Sequence, residues 1–208
     1  MSAATPGELR ARNLRTLAAL AGLFLLPLVM AFFLYYGTGW RPSAHVNHGQ
    51  LITPARPLPA VALPRIDLQG TGAVGTPAAP VPAFGKGWAL IYIGAGDCDA
   101  SCRRALYVMR QTRLGLNNDM TRVARVLLVS GACCDREFLA HEHAGLQVLD
   151  ARAPDGQLLL AQFPRANREH ALFIVDPLGN LVMSYDAREN PRGLLEDLKK
   201  LLALSNIG

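Results

Sequence analysis

Two cysteines, Cys98 and Cys102, have residue types and a spacing that can support chemistry. They form a C-x-x-x-C pair directly after an apolar run at residues 88–93 and a glycine-containing turn at residues 94–96. Residues four apart share one face of a helix, so the two thiols can point the same way. Such a pair can close a disulfide or hold one soft metal ion such as Cu(I). A static disulfide or two structural cysteines is the alternative.

A second pair, Cys133 and Cys134, follows another apolar run at residues 122–130. A disulfide between adjacent cysteines is strained, so we expect none to form. The two residues are then either auxiliary thiols near the first pair or incidental thiols in a loop. His141 and His143 come shortly afterwards, and a solvated loop is the expected setting for both.

The elements that must position these residues follow from hydrophobic periodicity. The apolar runs at residues 88–93, 122–130 and 171–176 predict buried core strands. With the intervening helices, the order is β-α-β-α-β-β-α, which predicts an α/β, thioredoxin-like central sheet with flanking helices. The remaining predicted elements are helices at 100–116, 155–163 and 191–204 and short strands at 146–149 and 181–185.

Residues 88–102, with their strand, glycine turn and C-x-x-x-C pair, resemble the Sco/SenC family of copper-binding cytochrome oxidase assembly proteins. The resemblance extends in layout over roughly residues 60–204. It implies a membrane-anchored, thioredoxin-like domain that binds copper through Cys98 and Cys102. His170 directly precedes the third core strand, and the resemblance implies that it completes a site of two thiolates and one imidazole.

The resemblance implies that Cu(I) passes from this site to a cytochrome c oxidase subunit in the same membrane. A second hypothesis is a thiol–disulfide oxidoreductase that keeps the cysteines of the oxidase copper site reduced. In that mechanism the more exposed Cys98 forms a mixed disulfide, which Cys102 resolves. A third hypothesis is an assembly scaffold with neither metal nor redox turnover.

The N-terminal part predicts a membrane anchor. Residues 1–15 carry three arginines against one acid, and residues 16–40 are uncharged over 25 positions, whereas a span needs about 20. Arginines before the span predict a cytoplasmic N-terminus, a single pass through the lipid bilayer of a bacterial inner membrane, and a periplasmic C-terminal domain. A cleaved signal peptide is the alternative.

Residues 41–86 contain eight prolines and few charges, which is typical of a tether. Within them, residues 61–68 alternate weakly and predict an edge strand or hairpin. Residues 87–208 then form the thioredoxin-like domain. The net charge of +5 is scattered, without a basic block, so the composition does not favour nucleic-acid binding.

Overall fold

A computed structural model describes residues 6–37, 47–68, 80–189, 191–205 and 207. The chain divides into two compact units, Met1–His45 and Val46–Gly208, which are considered separately.

The described residues of the N-terminal unit form one long helix. Helix α1 spans Pro6–Phe32 and continues as a π-helical turn at Phe33–Gly37. Its segment Arg12–Gly37 is 26 residues long with a mean hydropathy of 2.6, and the segment is apolar and long enough to cross a membrane. Large apolar side chains such as Phe24 are exposed along it, as expected of a lipid-facing surface. The last residues of the predicted span, 38–40, lie outside the described residues.

The second unit contains eight strands and four helices among its described residues. The strands are β1 (Gln50–Pro57), β2 (Ala62–Pro64), β3 (Pro80–Pro82), β4 (Trp88–Gly94), β5 (Val123–Val129), β6 (Gln147–Asp150), β7 (Ala171–Val175) and β8 (Asn180–Asp186), and the helices are α2 (Ala100–Gly115), α3 (Arg136–Glu142), α4 (Pro154–Leu160) and α5 (Pro191–Leu204).

Six of these strands form one sheet in the order β1-β8-β7-β4-β5-β6. Strands β4, β5 and β6 are parallel, whereas β7 is antiparallel to β4, β8 to β7 and β1 to β8. Every residue of β4 and β7 is buried, because both faces of the central strands are covered. The predicted thioredoxin-like α/β fold is confirmed.

Each face of the sheet has its own apolar core. Leu90, Leu127 and Leu172 face α2 and α5 on one side, and this core includes Cys98 and Cys102. The opposite face packs against α4 and the β2–β3 ribbon. The sheet therefore holds the cysteine-bearing corner rigidly against a packed helix layer.

The proline-rich segment differs from the expected tether. Residues 50–57 form the edge strand β1, which pairs with β8, while the predicted edge residues 61–68 supply β2 of the small ribbon and a single antiparallel bridge from Arg65 to Leu149 of β6. Proline lacks a donor but is accepted on an edge strand, so Pro54 and Pro57 do not prevent pairing. Leu63 is fully buried in the second core and anchors the ribbon. Residues 41–46 and 69–79 lie outside the described residues.

The segment at residues 131–145 contains the short helix α3. Helix α3 begins after Asp135, whose carboxylate accepts a hydrogen bond from the Phe138 backbone N–H at 3.2 Å. This side-chain cap satisfies a donor that the first helical turn would otherwise leave unpaired.

Candidate functional site

The candidate site lies where β4 ends and α2 begins. Gly96 adopts a φ of +110°, which glycine accepts readily, and Cys98 adopts a φ of 44° in the left-handed region. Asp99 then caps α2, since its carboxylate accepts a hydrogen bond from the Cys102 backbone N–H at 2.9 Å. The cap begins the helix one residue after Asp99 and places Cys102 in its first turn.

Cys98 and Cys102 lie side by side and form a disulfide with an S–S distance of 2.03 Å. Each residue is 3 % exposed, so the expectation that Cys98 is the more exposed is wrong. The reason is that both residues pack into the core under α2. Two sulfur atoms that lie side by side can exchange with an incoming thiol or, when reduced, hold one soft ion.

A cavity of about 490 Å³ opens onto this pair. Asp97 and Asp99 line it beside the cysteines, and Arg165 and Glu169 line it from the segment that precedes β7. Both cysteines thus belong to the core and also border the cavity, with only a small part of their surface exposed. The cavity has both acidic and basic walls, so it does not select strongly for a partner of one charge.

Tyr92 joins the two walls of the cavity. Its hydroxyl donates a hydrogen bond to the backbone carbonyl of Glu169 at 2.9 Å. Burial raises the pKa of Tyr92 to about 12, with smaller contributions from Asp99, Glu169 and Asp97. The tyrosine therefore stays protonated and acts as a hydrogen-bond donor over the physiological pH range.

His170 does not line the cavity. It ends a short 3₁₀ turn, Arg168–His170, and its Nε2 lies 3.5 Å from the Glu169 carboxylate. Its backbone carbonyl accepts a hydrogen bond from the Ala187 N–H at 2.7 Å, which ties the residue toward the end of β8. Among the residues that the structure describes, no group of three or more His, Cys, Asp and Glu side chains is placed to hold a metal ion.

Cys133 and Cys134 follow β5 and are half-buried. Both side chains pack against the core cluster that contains Cys98 and Cys102. The second pair therefore adjoins the same core as the first.

Arg103 connects the two cysteine-bearing loops. Its Nε donates to the backbone carbonyl of Cys98 at 3.3 Å, and its Nη2 lies 2.9 Å from the Asp135 carboxylate. The guanidinium also lies over the Phe138 ring, 4.1 Å from the ring centroid. Sequence reasoning missed Asp135 and Tyr92, although an aspartate three residues before Phe138 is a helix-cap signal.

Neither His141, in the last turn of α3, nor His143, directly after the helix, is among the residues that line the cavity. His141 is exposed, whereas His143 is only 3 % exposed and contacts the Phe138 ring edge-on at a centroid distance of 5.0 Å. Burial lowers the pKa of His143 to about 4, helped by Arg110 and Arg125. The expectation of a solvated loop is thus wrong for His143, because α3 folds it against the core.

Comparison with known proteins agrees with this fold. The model of a family described as "Transmembrane-like, thioredoxin-like, C-terminal domain" matches residues 88–205, more than half of the chain. No protein with a curated description matches the sequence.

Solved structures with the same fold include copper-binding proteins. Yeast Sco1 with copper bound superposes with a TM-score of 0.56 at 11% identity, covering 72% of this chain and 96% of that one. Arabidopsis thaliana ScoI with copper bound gives 0.51 at 13% identity, covering 70% and 99%. A SCO1/SenC family lipoprotein from Bacillus anthracis gives 0.51 at 10% identity, covering 73% and 99%. At these identities, the likeness shows a shared fold.

Proposed function

Because the chain belongs to the transmembrane-like, thioredoxin-like C-terminal domain family, we propose that it is a membrane-anchored thiol–disulfide protein. Its working pair is Cys98 and Cys102, which alternate between dithiol and disulfide. One observation carries the proposal: the two sulfur atoms lie side by side between the end of β4 and the first turn of α2, and both residues line an open cavity. A partner's sulfur can therefore approach them without unfolding the domain.

The reduced pair would reduce a partner's disulfide in two steps. The Cys98 thiolate attacks one partner sulfur, a mixed disulfide forms, and the other partner sulfur leaves as a thiolate that takes up a proton. The Cys102 thiolate then attacks the Cys98 sulfur, which releases the second partner cysteine as a thiol. The products are a reduced partner and the Cys98–Cys102 disulfide, the form present in the structure.

The partner we propose is a cytochrome c oxidase subunit whose copper-site cysteines must be reduced before metal enters. The C-x-x-x-C resemblance to Sco/SenC proteins supports this partner. Helix α1 supports it too, because two proteins held in one bilayer meet at a raised effective concentration. We place the anchor in a bacterial inner membrane, with Arg10, Arg12 and Arg15 in the cytoplasm and the domain in the periplasm.

A copper carrier is the second candidate function, and two of its three expected ligands, the sulfurs of Cys98 and Cys102, lie together. Two thiolates are soft ligands that suit Cu(I), and proteins of the same fold are known with copper bound. The third expected donor, His170, is not among the residues that line the cavity. From the sequence alone, copper transfer is the first hypothesis. The geometry favours thiol–disulfide exchange, because Cys98 and Cys102 lie together while His170 is not among the residues that line the cavity.

One set of proteins separates the candidates. The full chain in lipid nanodiscs would be reduced and supplied either with a fluorescent peptide disulfide or with Cu(I) held by a competing chelator. Cys98→Ser, Cys102→Ser and His170→Ala are the variants. Thiol–disulfide exchange predicts peptide reduction that is lost in both serine variants and kept in His170→Ala.

The outcomes of that experiment are distinct. Stoichiometric Cu(I) binding without peptide reduction would replace the first proposal with the second, and a loss of binding in His170→Ala would restore the histidine as a ligand. If the protein shows neither peptide reduction nor Cu(I) binding, the third hypothesis, an assembly scaffold, replaces both. Reporter fusions after residue 208 and at the N-terminus test the membrane orientation.

A further inference from the structure

A second cavity lies between the segment that follows β2 and the end of α3, and it shares no lining residue with the cavity at the cysteines. Its volume is about 340 Å³, at the small end of the range for ligand-binding cavities. Ile66 and Leu68 line it from the segment after β2, and Leu139, Ala140 and Leu146 line it from α3 and the turn beyond. Much of its wall is therefore apolar.

The polar part of this wall includes a histidine without a hydrogen-bond partner. His143 lines the second cavity, is 3 % exposed, and its buried Nδ1 has no partner. Because burial lowers its pKa to about 4, the ring is uncharged at neutral pH. Arg65 and Asp67 add one positive and one negative charge, so the charges of the lining residues balance.

A buried arginine lies next to the wall of the second cavity. Arg125 on β5 is 4 % exposed, and its Nη2 donates a hydrogen bond to the backbone carbonyl of Ala144, a lining residue. A Cβ atom built on Gly145, the next lining residue, would lie 3.9 Å from the same nitrogen. At Gly145, therefore, no side chain separates the guanidinium from the wall.

The charge of Arg125 is not balanced by the protein. Its Nε and Nη1 are buried without partners, and within the described part of the chain its hydrogen bond goes to a carbonyl and not to a carboxylate. Burial and the neighbouring charges of Arg113 and Arg110 lower its pKa, while Glu142 pairs with Arg110. Because burying a charge is unfavourable unless it is paired and hydrogen-bonded, this surplus favours an anion from outside the chain.

We propose that the second cavity binds a small organic carboxylate, whose anionic group pairs with Arg125 and whose apolar part packs against Leu139 and Leu146. The carboxylate accepts hydrogen bonds from guanidinium donors that the fold leaves unpaired, and His143 donates in the tautomer that carries a proton on Nδ1. On binding, Arg125 exchanges the Ala144 carbonyl for the ligand, and the exposed Ala144–Gly145 turn shifts to admit it. This site is independent of the redox function proposed above.

Ligand-detected NMR with the full chain in nanodiscs tests the proposal. Sodium butyrate is the probe, sodium acetate and inorganic phosphate are the comparisons, and empty nanodiscs are the blank. The wild type is expected to bind butyrate with a dissociation constant of about 1 mM or below. Acetate should bind about tenfold more weakly, because it buries two fewer methylene groups. Binding of phosphate alone, or of none of the three, would overturn the proposal.

Three variants locate the bound carboxylate. Arg125→Gln removes the charge and should weaken butyrate binding about tenfold or more. Ala140→Leu keeps Arg125 but fills the cavity, so it should weaken binding to a similar extent and keeps the test decisive if Arg125→Gln does not fold. Arg165→Gln is the matched control, since that arginine lines the cavity at the cysteines. Unchanged binding in either of the first two variants when folded, or weakened binding in Arg165→Gln, would overturn the proposal.

Discussion

The guanidinium of Arg103 links Cys98 to Asp135, the residue that directly follows the second cysteine pair. It donates to the Cys98 carbonyl and forms an ion pair with the Asp135 carboxylate at 2.9 Å. A single side chain on α2 therefore links the loop that carries Cys98 to the loop that carries Cys133 and Cys134. Because both members of the ion pair are substantially exposed, its contribution to stability is small, and its effect on loop position is more important.

Replacing Arg103 should loosen this connection. Arg103→Ala removes the ion pair, the carbonyl contact and the stacking on Phe138, and we expect the free energy of unfolding to fall by about 1 kcal/mol. Asp135→Asn is the matched variant, because asparagine can still cap α3 while the ion pair is lost. Hydrogen exchange of residues 94–99 is the local readout. Unchanged exchange there in Arg103→Ala would mean that the side chain does not hold the loop.

Gly96 should not accept a side chain. A Cβ there meets the Ala132 carbonyl at a distance shorter than any normal contact, and the φ of +110° adds backbone strain. Gly96→Ala is expected to cost about 3 kcal/mol or more. Gly179→Ala is the control, since its φ is also positive at +84° but its Cβ meets nothing within 4 Å. That variant should lose only about 1 kcal/mol in urea unfolding. Equal losses would refute the close approach of the two loops.

The Asp99 carboxylate has two separable effects on the site. Asp99→Ala removes the hydrogen bond to the Cys102 N–H and should reduce the free energy of unfolding by about 1 kcal/mol. Asp99→Asn keeps a capping oxygen and removes only the negative charge beside the sulfurs. In reduced protein we expect Cys98 and Cys102 of Asp99→Asn to be alkylated faster at neutral pH, because the lost negative charge no longer opposes formation of their thiolates. If stability and alkylation rate change together in both variants, the cap and the charge of Asp99 do not act separately.

His143 should make the domain sensitive to mild acid. The unfolded chain protonates this histidine below its ordinary pKa of 6.5, whereas burial lowers the pKa in the folded chain to about 4. The unfolded state therefore binds more protons between these values, and stability is lost as the pH falls through that window. The loss is on the order of 3 kcal/mol.

Urea unfolding at pH 7 and pH 4.5 measures this effect. The difference between the wild type and His143→Leu isolates the histidine from the carboxylates, which titrate in both proteins. The variant should retain more of its stability at the lower pH. Parallel pH profiles for the two proteins would assign the acid sensitivity to other groups.

Much of the fold was accessible from the sequence. The apolar runs at residues 88–93, 122–130 and 171–176 correspond to β4, β5 and β7, because strands buried on both faces need continuous apolar residues. Helix α5 lies at the predicted residues 191–204 for a similar reason, since its leucines repeat with helical period. The edge strand β1 was missed because its pairing with β8 is set by contacts more than 120 residues apart in the chain.

The sequence by itself determined that two thiols lie four residues apart between a buried strand and a helix, because spacing and periodicity are local properties. Only the tertiary structure decided which other residues join them. It left His170 out of the cavity lining, buried His143, and brought the Cys133 loop against the Cys98 loop through Gly96 and Arg103. These outcomes depend on strand register and on contacts between distant segments, which no local pattern encodes.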